Sequence, residues 1–402
     1  MYWQELSFDE MNRKVSSALE MNLPWDKKPL FGVPGSWLNR KVFPSLKSLE
    51  KAPFLRTMVE NPNHIGCHTF GESEKFFEGT HEIEREVIRI CAEEILDAKS
   101  GCYDGYIASG GTEGNIQAVW SYRNYLVQER NLSVSEIGVV YTSDTHYSVH
   151  KACNLLCLKG ICIPIENSER QVSIEQLKEC LINAQAEGIK AFIFVLTMGS
   201  TMFGAVDDID KFIKVIRELQ LEFFIHVDAA FGGFIYPFTT FNRLKMSVPE
   251  ISSFSLDGHK VLQAPYGTGI FLIKRPYLNY VMTDKASYVK GNDKTLCGSR
   301  SGALAVALWL ILHSYGSEGW TEFISGLLEK TELLTTGLRQ KNLSFFQQPG
   351  VNVVTLDVNQ VDTKLLEKYN WVSDDSKQPR FFKAVVMDHV NSKQIKEFLN
   401  EI

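Results

Sequence analysis

The feature that most constrains this chain is an alternation running from about residue 98 to about residue 275. Short apolar runs stand at Ile107-Ala108-Ser109, Gly138-Val139-Val140-Tyr141-Thr142, 161–165, Ala191-Phe192-Ile193-Phe194-Val195-Leu196 and Phe223-Phe224-Ile225-His226-Val227-Asp228. Between them lie segments with helical spacing over 112–129, 147–158, 173–186 and 207–219. A strand that is apolar at every position, as 191–196 is, must be covered on both faces. Such strands alternating with amphipathic helices predict an α/β fold, a mostly parallel sheet with helices on both faces.

The flanks read differently. Residues 1–60 hold short helical patterns broken at Pro24, Pro29, Pro34, Pro44 and Pro53, the signature of an amino-terminal arm with no core of its own. Residues 81–98 form an amphipathic helix with Ile83, Val87, Ile90, Cys91 and Ile95 on one face. Helices are expected near 302–315 and 319–340, strands at 351–358 and 381–387, and a helix over 392–401. With 402 residues the chain exceeds one core of usual size. The expected division is an arm over 1–60, a large domain over 61–310 and a small carboxy-terminal α+β domain over 311–402.

A net charge of -6 without a basic cluster argues against a nucleic-acid partner. No apolar run reaches the roughly 18–20 residues that span a bilayer. The start, Met1-Tyr2-Trp3-Gln4-Glu5, lacks a basic region followed by an apolar stretch. A cytoplasmic protein with no membrane partner is expected. The eight cysteines include no CxxC pair, so they are expected to be reduced, mostly buried thiols with no metal site.

In a doubly wound sheet, ligands bind at the carboxyl ends of the strands. Four such places carry unusual residues. Ser109-Gly110-Gly111-Thr112-Glu113-Gly114-Asn115 puts glycines and a helix start together, which suits a phosphate. His226-Val227-Asp228-Ala229-Ala230 ends an apolar strand on a carboxylate, which would keep a nearby pyridine nitrogen protonated. Asp144-Thr145-His146-Tyr147-Ser148 places an imidazole where it could stack on a ring. Ser255-Leu256-Asp257-Gly258-His259-Lys260 ends a strand on a lysine beside a histidine, and crowding by a second cation is one way to make a lysine nucleophilic. Each also has an ordinary structural explanation alone: a glycine turn capped by Thr112, a turn aspartate, a structural histidine, a solvated loop lysine.

Taken in order along one sheet, these four segments resemble the pyridoxal 5'-phosphate (PLP) enzymes whose fold is similar to aspartate aminotransferase, PLP fold type I. The likeness is closest to the group II PLP-dependent amino-acid decarboxylases. It is carried also by Thr80-His81-Glu82-Ile83-Glu84-Arg85-Glu86-Val87, by His146 to Ala152, by Gly204-Ala205-Val206-Asp207-Asp208-Ile209-Asp210 and by Gly298-Ser299-Arg300-Ser301-Gly302. These stretches span roughly residues 60–320.

The resemblance implies PLP as cofactor and decarboxylation of an L-amino acid (histidine, tyrosine or another aromatic, aspartate or glutamate). It makes Lys260 the Schiff-base lysine and Asp228 the partner of the pyridine nitrogen. His146 would stack on one ring face and Ala230 pack on the other. Gly111 and Thr112 would hold the phosphate, helped by Ser255 and His259, and Thr201 would lie near the 3-oxygen. Family members are homodimers with a shared active site, and Ser299 matches the segment that reaches the partner's phosphate. Tyr288 matches the tyrosine that returns a proton to Cα.

Position 257 departs from the pattern. Asp257 is similar to the residue in microbial tyrosine/aspartate decarboxylases and in sphingosine-1-phosphate lyase, which opens a PLP-dependent carbon–carbon lyase as the alternative. A carboxylate there is expected to point away from the phosphate. Aminotransferases commonly clamp the substrate carboxylate with a carboxy-terminal arginine, for which Arg380 is the candidate. Substrate side-chain contacts are expected from His64-Ile65-Gly66-Cys67-His68-Thr69-Phe70.

Overall fold

The computed structural model describes residues 9, 29, 31–32, 39–42, 58, 69–72, 78–165, 167–283 and 292–402. Seven strands form the main sheet: β1 (Tyr103–Ala108), β2 (Ile137–Thr142), β3 (Lys159–Ile163), β4 (Ala191–Thr197), β5 (Glu222–Ala229), β6 (Ile251–Asp257) and β7 (Gly269–Lys274). Their order is β1-β7-β6-β5-β4-β2-β3. Only β7 runs antiparallel to its neighbours, so the carboxyl ends of the other six share one edge.

The all-apolar strand β4 shows why the sheet needs two covers. Phe192, Phe194 and Leu196 enter one core, with Val87, Leu177, Phe212 and Leu308. Ala191, Ile193 and Val195 enter a second core, with Val119, Tyr122, Leu126 and Val149. The first core is closed by α1 (Glu78–Arg89), α4 (Ile174–Ala186), α5 (Ile209–Glu218) and the long α6 (Gly302–Gln340); the second by α2 (Gly111–Glu129) and α3 (Ser148–Leu156). Helices thus lie on both faces, as the alternation predicts.

Two helical expectations are refined. The helix expected over 81–98 changes winding after Arg89 into a π-helical turn, Ile90–Ile95, which keeps Cys91 buried. The two helices expected near 302–315 and 319–340 form one run, broken at Gly316, whose φ of 61° and ψ of -179° are not helical. A positive φ of this kind favours glycine.

A second, antiparallel sheet has the order β10 (Val372–Ser373), β11 (Phe381–Val385), β9 (Val353–Asp357), β8 (Phe345–Phe346). Its core joins Phe382 and Val354 to Leu334 and Leu338 of α6, and to Phe398 of α8 (Ser392–Glu401). Phe31 of the amino-terminal segment is fully buried there, its ring 5.6 Å from that of Tyr369. The two-residue strands β8 and β10 and the short α7 (Thr363–Lys368) are too brief for periodicity to reveal.

The cysteine expectation needs correction. Among the described residues all are free, and Cys91 and Cys153 are buried, but Cys102, Cys157, Cys162 and Cys297 are exposed. Cys162, for example, lies on the edge strand β3, where one face meets solvent. No helix among the described residues is long and apolar enough to cross a membrane.

Candidate active site

Along the shared edge the register brings Thr197, Asp228 and Ser255 side by side on β4, β5 and β6. Just beyond them lies a cavity of about 430 Å³. Its wall includes Gly111, Thr112, His146, Asp228, Ala230, Asp257, His259 and Lys260. Eight of the residues picked out by sequence thus converge from four loops, although they are spread over 150 positions.

Asp228 is 5 % exposed, and each carboxylate oxygen accepts one hydrogen bond. Asn115 Nδ2 donates to Oδ2 at 2.7 Å and the Ala230 N–H to Oδ1 at 3.1 Å. Two short donors aim the carboxylate and leave further lone pairs available. His146 turns Nδ1 toward Ser148 Oγ at 2.8 Å, and burial pushes its pKa down against the opposing pull of Asp228. Its ring lies 4.1 Å from that of Tyr147.

Opposite stand Asp257, His259 and Lys260. Lys260 Nζ is 3.0 Å and His259 Nε2 3.5 Å from Asp257 Oδ2. Burial lowers the pKa of His259, with Asp257 opposing. Two buried polar atoms in this corner, Asp257 Oδ1 and His259 Nδ1, have no hydrogen-bond partner among the described residues. Asp257 is part of the cavity wall. Lys260 and His259 hold it in the wall, where a Cβ added at Gly111 would come within 3.4 Å of its Oδ2. The same Cβ would lie 2.8 Å from that of Ala230, so only glycine lets helix and strand approach this closely.

A scan against protein families matches residues 80–356 to the pyridoxal-dependent decarboxylase conserved domain. The chain belongs to this family. A tryptophan decarboxylase of Clostridium sporogenes is 41% identical over 392 residues, covering 97% of this chain and 94% of that protein. A probable L-tyrosine/L-aspartate decarboxylase of Methanosarcina barkeri is 31% identical over 81% of this chain and 84% of its own length. Among solved structures, L-methionine decarboxylase from Streptomyces sp. 590 superposes with a TM-score of 0.79 at 22% identity, covering 98% of this chain and 95% of that one. A sphingosine-1-phosphate lyase from Burkholderia pseudomallei gives 0.77 at 17% identity, covering 100% and 91%. At such identities the likeness is one of fold.

The enzyme is thus a PLP-dependent amino-acid decarboxylase, a carboxy-lyase with the fold of the type I PLP enzymes. The likeness to the solved lyase is one of fold alone. The cavity suits the cofactor. Helix α2 opens at Gly111 behind Gly110, which has no side chain to cap it, so the positive end of the helix faces the cavity. The unpartnered Asp257 and His259 atoms and the aimed Asp228 carboxylate supply the polar contacts a flat charged ring needs.

Three sequence-derived assignments lie outside this wall. Ser255 is buried one step deeper, its Oγ under Gly114 of α2 and 3.2 Å from His226 Nε2, so it does not reach the cavity. Thr201 is exposed, and its carbonyl accepts from Lys383 Nζ at 2.5 Å. The turn after β4 is clasped by the small sheet, which draws Thr201 away from the wall. Ser299 is exposed and is not part of this cavity's wall. Tyr288 and residues 64–68 lie outside the described residues. Phe70 packs on Tyr103 at the opposite edge of the sheet, 5.7 Å between rings, because Tyr103 begins β1.

Sequence reasoning missed several groups. Arg380 is 80% exposed beside Asp374, whereas Lys383, three residues on, is buried, its pKa lowered to about 8 by burial and then by the charge of Lys260. Tyr266, its ring tilted against that of His259 with 5.1 Å between centroids, carried no signal. His226 did carry one. It lies two residues before Asp228, on the same face of a strand, which is where a buried partner would stand.

Proposed function

We propose that this decarboxylase acts on an aromatic L-amino acid of the tryptophan or tyrosine class, releasing the amine and carbon dioxide. The observation that carries the proposal is the cavity mouth. Tyr147 and Tyr266, 59% and 77% exposed, offer ring surface there, and no arginine is among the described wall residues. An indole or phenol side chain gains contact with such rings. A side-chain carboxylate would instead ask for a bidentate cation. The names of the tryptophan and tyrosine/aspartate relatives support the aromatic class.

In this reading Lys260 holds the cofactor covalently through Nζ. Asp228, aimed by Asn115 and the Ala230 N–H, faces the pyridine nitrogen. His146 and Ala230 bound the two ring faces, and Gly111, Thr112 and His259 border the phosphate. When bound, the cofactor accepts the electron pair left by the departing carboxylate. Asp257 keeps Lys260 Nζ beside the reacting centre. The proton for Cα comes from Tyr288, which follows β7 in the sequence. The reading includes a homodimer that shares the site, with Ser299 of each subunit at the other's phosphate; a monomer by sedimentation would contradict that part.

The test is a substrate panel. PLP-loaded protein is given each of the twenty amino acids and carbon dioxide release is measured. Tryptophan or tyrosine should give the highest kcat/KM. Faster release from aspartate, glutamate or histidine overturns the proposal.

A further inference from the structure

A chain of buried hydrogen bonds runs from the second core to the cavity wall, and its direction follows atom by atom. Asp228, when ionised, only accepts. Asn115 Nδ2 donates to Asp228 Oδ2 at 2.7 Å and to Ser148 Oγ at 2.8 Å. The amide cannot be reversed, since its oxygen would then face the carboxylate. Asn115 Oδ1 consequently faces His226 Nε2, at 2.8 Å. Two acceptors cannot meet at that distance, so His226 carries a proton on Nε2. Its Nδ1 is left to accept from Ser253 Oγ at 2.7 Å, and Ser253 in turn accepts from the Tyr122 hydroxyl at 2.6 Å.

The other branch is set by the donors that converge on His146 Nδ1. Ser148 Oγ accepts from Asn115, so its own proton must go elsewhere, and His146 Nδ1 lies 2.8 Å away. The Ser148 main-chain N–H points to the same nitrogen at 3.3 Å.

We infer that Asn115 and Ser148 are positioning residues that fix His146 in one tautomer, with Nδ1 bare and the proton on Nε2, the nitrogen on the far side of the ring from Ser148.

The inference rests on the reading that places His146 beside cofactor and substrate. Burial supports it by depressing the pKa of both imidazoles, that of His226 to about 4, which keeps the chain neutral between its ends. The consequence is chemical. A neutral N–H orients the substrate carboxylate through one hydrogen bond, without a full positive charge that would retain it as it leaves. A neutral imidazole N–H is also a poor acid, so the proton for Cα must come from another group.

The experiment is NMR of the full chain carrying 15N-histidine, with and without PLP. Couplings between the ring protons and the two nitrogens report the tautomer, and His146→Gln identifies the signal. His146 should be in the Nε2–H form at neutral pH in both states. Ser148→Ala should raise the Nδ1–H fraction about fivefold, the equivalent of one neutral hydrogen bond of ~1 kcal/mol. Ser148→Thr, which keeps the hydroxyl, should restore the wild-type ratio. An Nδ1–H or doubly protonated His146 in the unmodified protein overturns the inference, and this holds even where the alanine variant does not fold. An unchanged ratio in a folded Ser148→Ala variant also overturns it. Finding the Nε2–H form in a protein that decarboxylates no aromatic amino acid would support this inference while refuting the substrate proposal.

Discussion

The two sides of the cavity are built on opposite principles. On the Asp228 side every polar group of Asn115, Ser148, His226, Ser253 and Tyr122 engaged in the chain has a partner between 2.6 and 2.8 Å. On the Lys260 side, Asp257 Oδ1 and His259 Nδ1 are buried and unpartnered. Buried polar groups are nearly always satisfied, and a satisfied network is rigid. The difference teaches which half holds geometry in advance and which half is completed by its ligand.

Substitutions should follow this division, and the largest effect belongs to the side that is completed by its ligand. Lys260→Ala should abolish decarboxylation and the visible absorbance of the bound cofactor; an unchanged spectrum would place the covalent link elsewhere. Next comes Asp228→Asn. Loss of an opposite charge at a pyridine nitrogen shifts its proton affinity by about 1–3 pKa units, so kcat should fall by about 10–10³-fold with a change in the cofactor spectrum. Asp257→Asn should be milder, roughly a tenfold loss in kcat, because Lys260 keeps its chain position and loses only its nearest charge partner.

The rigid side should announce itself in stability. The His226 pKa falls from 6.5 to about 4 on burial. The unfolded chain therefore binds more protons between these values, and the folded state loses stability as pH falls through that window. The loss is on the order of 3 kcal/mol. Denaturant unfolding followed from pH 7 to pH 4 should show this slope, and His226→Gln should flatten it. The smallest effect is expected of Tyr122→Phe, which removes the outermost donor of the chain: about 1–2 kcal/mol of stability with activity retained. A large loss of activity there would show that the chain's far end matters to chemistry as well as to folding.

Much of this was legible beforehand, for physical reasons. The apolar strand 191–196 demanded two covers, and the sheet supplies them. Lys260, Asp228, His146, Ala230 and the Gly111 turn were readable because parallel strands deliver their carboxyl ends to one edge. What sequence order could not convey was depth along a strand and the hold of the small sheet. Ser255 sits one step too deep under α2, and Thr201 is held by Lys383 of β11, about 180 residues away in the chain. The direction of Asp257 turned on its neighbours Lys260 and His259, whose approach depends on the fold of the loop after β6.

The roles given to the cavity residues turn on Lys260 as the point of cofactor attachment. Borohydride reduction of the PLP-loaded protein, followed by peptide mapping, tests this directly. A single phosphopyridoxyl adduct on Lys260 is expected. An adduct on Lys383 or any other lysine, with Lys260 unmodified, would contradict it.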